Sequence, residues 1–206
     1  GVGSRMNVAN MPKQFIKIGG KPIIIHTIEK FLMCSRINRI YIGVHPEWLD
    51  YMQELLDEYF TEKDVAVIVP GGADRNETLF NLIDKIESDF GVTEDSVVLT
   101  HDAVRPFVTL RIIEENIDAA VRYGAANTVI QSIDTIMVSE DGEYITSVPE
   151  RKHMYQSQTP QSFNISLLKK MYAGITEEEK ETLTDACRIC TVRNYPIYMV
   201  KGEINN

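Results

Sequence analysis

The sequence predicts an α/β domain with a doubly wound, mostly parallel sheet and one projecting β-hairpin arm. Three observations predict it. Short runs rich in β-branched residues alternate with longer stretches of helical periodicity. Loops bearing glycine, proline and charge follow the carboxyl ends of two of those runs. The chain has 206 residues, 44% hydrophobic and 25% charged, which is enough for one sizeable core. Residues 1–206 are therefore read as a single domain.

Each element follows in order. Pro22 suits the first position of a helix running to Met33. Arg39 to Val44 is a short β-branched and aromatic run, hence a strand. Glu47 to Phe60 places Trp48, Met52, Leu55, Leu56 and Tyr59 on one helical face. Val65 to Val69 is an apolar run ended by Pro70-Gly71-Gly72, a buried strand feeding a loop. Glu77 to Ser88 is a second amphipathic helix, with Leu79, Leu82, Ile83 and Ile86 aligned. Ser96 to Thr100 is a strand, Thr109 to Tyr123 a long helix and Thr128 to Ile130 another strand. Strands alternating with such helices imply parallel βαβ units with right-handed crossovers. In these sheets ligands bind outside the carboxyl ends of the strands.

One segment breaks the alternation. Asp134 to Val138 and Glu143 to Val148 flank Ser139-Glu140-Asp141-Gly142, a hairpin signal. A hairpin inserted here projects as an arm, and two arms can pair between subunits. An inert surface hairpin is the other reading.

Composition excludes several classes. The longest aliphatic run, Val65 to Val69, falls far short of the roughly 20 apolar residues of a membrane span, and no leader pattern is visible. A net charge of −9 argues against a nucleic-acid-coating protein but not against a small anionic ligand. Three cysteines, Cys34, Cys187 and Cys190, do not make a disulfide framework, so a reducing cytoplasm is expected. The histidines show no metal-ligand spacing.

The chemistry-bearing motifs lie in loops. Gly1 and Gly3 permit close backbone approach to phosphate, and Arg5 and Lys13 add two cations. A flexible terminus with solvated charges is the plainer alternative. Gly71 and Gly72, followed by Ala73, Asp74, Arg75 and Thr78, let backbone groups reach a flat ligand such as a base. Asp74 or Asn76 as a helix cap explains only part of that motif. Asp102 ends a strand, where it can hold a metal or a ribose, and Arg105 can reach phosphate. Those two side chains can equally pair with one another. Arg151, Thr159 and Thr184 suit phosphate or hydroxyl recognition, although each also suits an ordinary turn or cap. Cys187 and Cys190 read as two buried thiols.

Taken together, Gly-x-Gly-Ser-Arg-Met, Pro-Lys-Gln, Gly-Gly-x-x-Arg, His-Asp-x-x-Arg-Pro-Phe, Gln-Thr-Pro-Gln and Thr-Asp-Ala resemble the cytidylyltransferases of the methylerythritol-phosphate and ribitol-phosphate type. The resemblance runs along nearly the whole chain in order. It implies a Rossmann-like nucleotidyltransferase that uses CTP and Mg²⁺ and dimerises through a β-arm, here residues 134–152. It implies catalytic roles for Arg5 and Lys13. Nucleotide contacts are implied for Gly1, Gly3, Gly71, Gly72, Ala73, Thr78, Asp102, Ala103 and Arg105, with Asp102 near the metal. Acceptor contacts are implied for Arg151, Thr159 and Thr184. It also implies a strand ahead of Gly1 and a lysine-bearing segment beyond Asn206, so the native chain is expected to continue at both ends.

Arg5 and Lys13 are eight residues apart, an interval that resembles the ribitol-phosphate branch. His-Asp-Ala-Val-Arg-Pro-Phe and Leu-Thr-Asp-Ala-Cys point the same way. The expected reaction is therefore CTP with ribitol 5-phosphate, serving wall teichoic acid synthesis, with methylerythritol phosphate as the alternative acceptor. The acceptor in either case is a phosphorylated alditol, and neither nucleic acid nor membrane is an expected partner. A non-catalytic nucleotide-binding or dimerisation module is the alternative of another class, and Arg5 with Lys13 favours an enzyme. A glycosyltransferase would carry Asp-x-Asp at a strand end, which His101-Asp102-Ala103-Val104 lacks.

Overall fold

The computed structural model describes residues 11–62, 64–180 and 182–206. Gly1, Gly3 and Arg5 lie outside these residues. After a 3-10 turn at Lys13–Phe15, strands β1 (Lys17–Ile18) and β2 (Lys21–Pro22) form a minimal antiparallel hairpin. Its corner is Gly19-Gly20, both at positive φ. Pro22 then caps α1 (Ile23–Leu32), consistent with its fixed φ.

The β-branched run becomes β3 (Ile40–Val44), which pairs in parallel with β4 (Ala66–Pro70) across α2 (Leu49–Tyr59). Met52, Leu55 and Leu56 of α2 pack with Phe15, Ile24, Ile25 and Ile28 into one core. The helix α3 (Arg75–Phe90) begins earlier than periodicity alone indicates, because Asp74 accepts from the Glu77 amide as its N-cap. Next come β5 (Val97–Thr100), α4 (Leu110–Tyr123) and β6 (Ala125–Gln131). Thr109 caps α4 at its start and Gly124, at φ +80°, ends it.

The C-terminal third departs from the expected parallel order. Tyr155–Asn164 is a ten-residue strand, β7, antiparallel to both β5 and β6. It is followed by α5 (Ile165–Ala173), α6 (Glu177–Lys180), α7 (Ala186–Val192) and β8 (Tyr198–Lys201), which returns parallel to β6. Among the described residues the larger sheet therefore runs β5-β7-β6-β8, and it is mixed. The α/β class holds; the parallel arrangement is confined to β3–β4 and β6–β8. A second core lies beneath this sheet, where Ile83, Phe163, Leu168 and Ile189 are fully buried.

The hairpin at 134–150 is thin. Val138 and Ser147 form an isolated antiparallel bridge, and Asp141 accepts from the amides of Glu143 and Tyr144 to shape the tip. Its apolar residues Met137, Tyr144, Ile145 and Val148 are exposed. No described helix is long and apolar enough to cross a membrane.

Candidate active site

Two loops meet beyond the carboxyl ends of β4 and β5. The first leaves Pro70 and turns into α3. Gly71 donates its amide to the Val44 carbonyl at 2.7 Å. The Thr78 hydroxyl accepts from the Gly72 amide at 2.9 Å and donates to the Asp74 carbonyl at 2.8 Å. Glu77 folds back so that its carboxylate accepts from the Ala73 amide at 2.6 Å. A Cβ on Gly72 would lie 2.4 Å from the Glu77 side chain, so this close approach requires glycine. The amides of Gly72 and Ala73 are thus engaged within the loop, and reading a base with them requires Thr78 and Glu77 to yield.

The second loop, residues 101–107, leaves Thr100. Its Asp102 carboxylate accepts from two guanidiniums: Arg75 of the first loop at 2.9 Å and Arg105 of its own turn at 3.1 Å. The pairing of Asp102 with Arg105 is therefore real, and Arg75 joins it across 27 residues of sequence. The three side chains are 53%, 29% and 30% exposed for Arg75, Asp102 and Arg105. Pairs this open stabilise the fold by under about 1 kcal/mol. Their effect is to fix two cations and one anion, a net positive charge, at the mouth of the sheet. Arg105 also donates to the Asn206 carbonyl at 2.8 Å. The Ala103 carbonyl accepts from Thr27 of α1 at 2.8 Å, which ties the loop to the first core. A cleft of about 390 Å³ opens beside Asp102 and Arg105, walled by Ile18, Val104 and Phe107.

Beneath Asp102 lies a buried relay. The Thr159 hydroxyl accepts from the Asp102 amide at 3.1 Å and meets His101 Nδ1 at 2.9 Å. His101 Nε2 lies 3.0 Å from the Arg105 carbonyl. Burial pushes the imidazole pKa down to about 4, against the opposing pull of that hydrogen bond and of Asp102, so the ring is neutral near pH 7. Thr159 is 4% exposed.

The remaining expected residues are dispersed. Lys13 is half-buried in its 3-10 turn. Thr184 is exposed, between Leu183, whose carbonyl accepts from Asn76, and Asp185, which caps α7. Gln161, 2% exposed, donates to Asp185 at 2.9 Å. Arg151 sits on a 3-10 turn (Arg151–His153) at the base of the arm, donating to the Ile133 carbonyl. It borders a separate cleft of about 820 Å³ with Gln131, Ser132 and Lys152. Among the described residues Arg151 and Asp102 line different clefts.

Sequence reasoning did not single out Arg75, His101, Gln161 and Asp185 as site residues, although each stands in a motif it quoted; their contacts with Asp102, Thr159 and one another span 24 to 58 residues of chain.

Mg²⁺ takes oxygen ligands and is commonly held by one or two carboxylates with substrate phosphates supplying the rest. No group of three metal-ligating side chains gathers among the described residues. Asp102 is the carboxylate at that loop end, but Oδ1 already accepts from Arg75 and Oδ2 from Arg105, so holding a Mg²⁺ there requires the guanidiniums to turn to phosphate.

Comparison with known proteins agrees with this architecture. The family described as IspD, 2-C-methyl-D-erythritol 4-phosphate cytidylyltransferase, matches residues 1–206. A 4-diphosphocytidyl-2C-methyl-D-erythritol synthase from Anaerococcus prevotii superposes with a TM-score of 0.77 at 25% identity, over 93% of this chain and 81% of that one. A 2-C-methyl-D-erythritol 4-phosphate cytidylyltransferase from Thermus thermophilus gives 0.70 at 27% identity, over 94% and 85%. The Francisella tularensis protein of that description, at 20% identity, gives 0.78 over 100% and 88% and speaks for the fold alone.

Proposed function

We propose, from the premise that this chain belongs to the IspD family of cytidylyltransferases, that it joins CTP to 2-C-methyl-D-erythritol 4-phosphate and releases pyrophosphate. Nucleotidyl transfer is the activity of the family; the acceptor is the proposal. The observation that carries the reading is the Arg75–Asp102–Arg105 cluster beyond β5, facing the glycine loop beyond β4. The family match and its similar structures favour methylerythritol phosphate over ribitol 5-phosphate, the acceptor expected from the loop spacing.

In this reaction a phosphate oxygen of the acceptor attacks the α-phosphorus of CTP. The bond from that phosphorus to the bridging β-oxygen breaks, and pyrophosphate leaves with the electron pair. The nucleophile is already anionic, so no general base is needed. The barrier is the approach of an anion to a polyanion, and alignment with positive charge lowers it. Arg75 and Arg105 hold phosphate oxygens, and Lys13 with Arg5 faces the charge that develops on transfer. Asp102 would hold Mg²⁺, which supplies further positive charge when bound. Gly71 to Ala73 read cytosine once Glu77 and Thr78 turn aside. The family's pattern puts Thr184 and Thr159 on the acceptor side; the buried contacts of Thr159 with Asp102 and His101 instead point it at the Asp102 loop.

Arg151 reaches an acceptor only from a second copy. The exposed apolar face of the arm (Tyr144, Ile145, Val148) supports a homodimer in which each arm completes the other subunit's site. Mixing Arg151→Ala with Lys13→Ala protein should restore activity that neither has alone. No restoration in mixed dimers would place Arg151 outside the shared site.

The test of acceptor and base is pyrophosphate release with Mg²⁺, using CTP or UTP, and either methylerythritol phosphate or ribitol 5-phosphate. The reading predicts CTP with methylerythritol phosphate. Turnover of ribitol 5-phosphate alone would establish the second reading, which the eight-residue interval from Arg5 to Lys13 favours. Equal use of CTP and UTP would overturn base recognition by the glycine loop.

A further inference from the structure

We propose that His101 is a positioning residue for this reaction: its imidazole grips the Asp102–Arg105 turn at both ends, through the Thr159 hydroxyl and the Arg105 carbonyl. The role rests on the cytidylyltransferase reading, but the hydrogen-bond geometry does not.

The bond pattern fixes one proton, on Nε2. The Arg105 carbonyl only accepts, so His101 Nε2, 3.0 Å away, carries hydrogen. In the neutral ring Nδ1 is then bare and accepts from the Thr159 hydroxyl at 2.9 Å. The hydroxyl oxygen accepts in turn from the Asp102 amide at 3.1 Å. The Arg105 amide donates to the Asp102 carbonyl at 3.0 Å, closing the same turn. Moving hydrogen to Nδ1 would set the Nε2 lone pair against the Arg105 carbonyl. The Phe31 ring, 4.9 Å from the imidazole, fixes its plane.

Two consequences follow. Thr159 has its donor and one acceptor position committed inside the protein, and it is buried. It acts on Asp102 rather than on the acceptor alcohol. His101 is not a general base, because its bare nitrogen faces Thr159 rather than the cleft. Its contribution is to hold Asp102 and Arg105 where phosphate oxygens meet them, and a displacement of about 1 Å at such a point costs about 10²-fold in rate.

The test has two arms. Long-range ¹⁵N–¹H NMR of the imidazole at pH 7 reads the tautomer directly and needs no turnover. The relay predicts the Nε2–H form in the wild-type protein and a shifted Nδ1 resonance in Thr159→Val but not in Thr159→Ser. A neutral ring in the Nδ1–H form would overturn it. Steady-state pyrophosphate release is then compared among His101→Phe, His101→Asn, Thr159→Val, Thr159→Ser and the double variant His101→Phe/Thr159→Val. Positioning predicts about a 10²-fold fall in kcat for His101→Phe and Thr159→Val, with the KM of the acceptor unmoved. His101→Asn, which still accepts at the Nδ1 position, recovers part of the loss, and Thr159→Ser remains active. The double variant is no slower than the slower single variant, because one chain of bonds is cut once. A raised acceptor KM with unchanged kcat in Thr159→Val would return Thr159 to the acceptor site and overturn the role. Multiplying losses in the double variant would also overturn it. A wild-type protein that turns over no CTP removes the functional reading and the catalytic role with it, while the tautomer still decides the relay.

Discussion

Lys13 carries the claim that charge neutralisation, not proton transfer, drives the chemistry. Lys13→Ala should lower turnover on the order of 10²–10³-fold, by analogy with a removed oxyanion donor. The turn it occupies is held by main-chain bonds such as Phe15 N–H to the Pro12 carbonyl at 3.0 Å, so the variant should fold. Full pyrophosphate release by a folded Lys13→Ala protein would remove Lys13 from the mechanism. Cys187 and Cys190 make the opposite point, since their spacing hints at chemistry that burial denies. Desolvation is the main cause raising both thiols, Cys190 to about 12 and Cys187 also far upward, with Asp185 adding to each. A raised thiol becomes reactive only above its raised value, so both should remain unmodified by iodoacetamide at pH 8. Alkylation of either within minutes, read by mass spectrometry of native protein, would show that the helix opens readily. At this scale the sequence displayed Asp102, Arg105 and the glycine loop, which the fold brings to one end of the sheet. It did not display Arg75 reaching Asp102 or His101 reaching Thr159, because those contacts span 27 and 58 residues of chain.

Among the elements, α4 and β7 show why local pattern succeeds and fails. The helix α4 is amphipathic, capped by Thr109 and stopped by Gly124, and all three signals are local. Gly124→Ala should destabilise the protein by about 1–3 kcal/mol. Its backbone is left-handed at φ +80°, and a Cβ would lie 2.7 Å from both Leu167 and the Tyr195 hydroxyl. Urea unfolding measures this; a change within about 0.5 kcal/mol would mean that the cap relaxes freely. The strand β7 carries no such signals. Its sequence, YQSQTPQSFN, is polar and contains Pro160, which ordinarily argues against a strand between two neighbours. It is buried nonetheless because side chains replace the missing apolar contacts. Thr128 donates to the Pro160 carbonyl at 2.7 Å, and Ser162 donates to Asn116 Oδ1 at 2.8 Å. Asn116 in turn donates to Thr128 at 2.9 Å. The ladder with β6 also shifts register between Asn127 and Val129, close to Pro160. A network spread over three elements has no period for sequence analysis to find.

For the whole molecule, the antiparallel course of β7 joins the elements into a site. It places Gln161 opposite Thr100 and sets Thr159 beneath Asp102, at the end of the sheet where the glycine loop also arrives. A chain of net charge −9 thereby carries two arginines, Arg75 and Arg105, together at this end of the sheet. The strand-end location of the candidate site was legible from the βαβ pattern, and the exposed apolar face of the arm was not. Nucleotidyl transfer at the α-phosphorus is read by ³¹P NMR of one reaction mixture. With CTP, Mg²⁺ and the phosphorylated acceptor, a CDP-alcohol diphosphate and pyrophosphate should grow in equal amounts. CDP with a newly phosphorylated acceptor, or CMP with pyrophosphate and untouched acceptor, would contradict it.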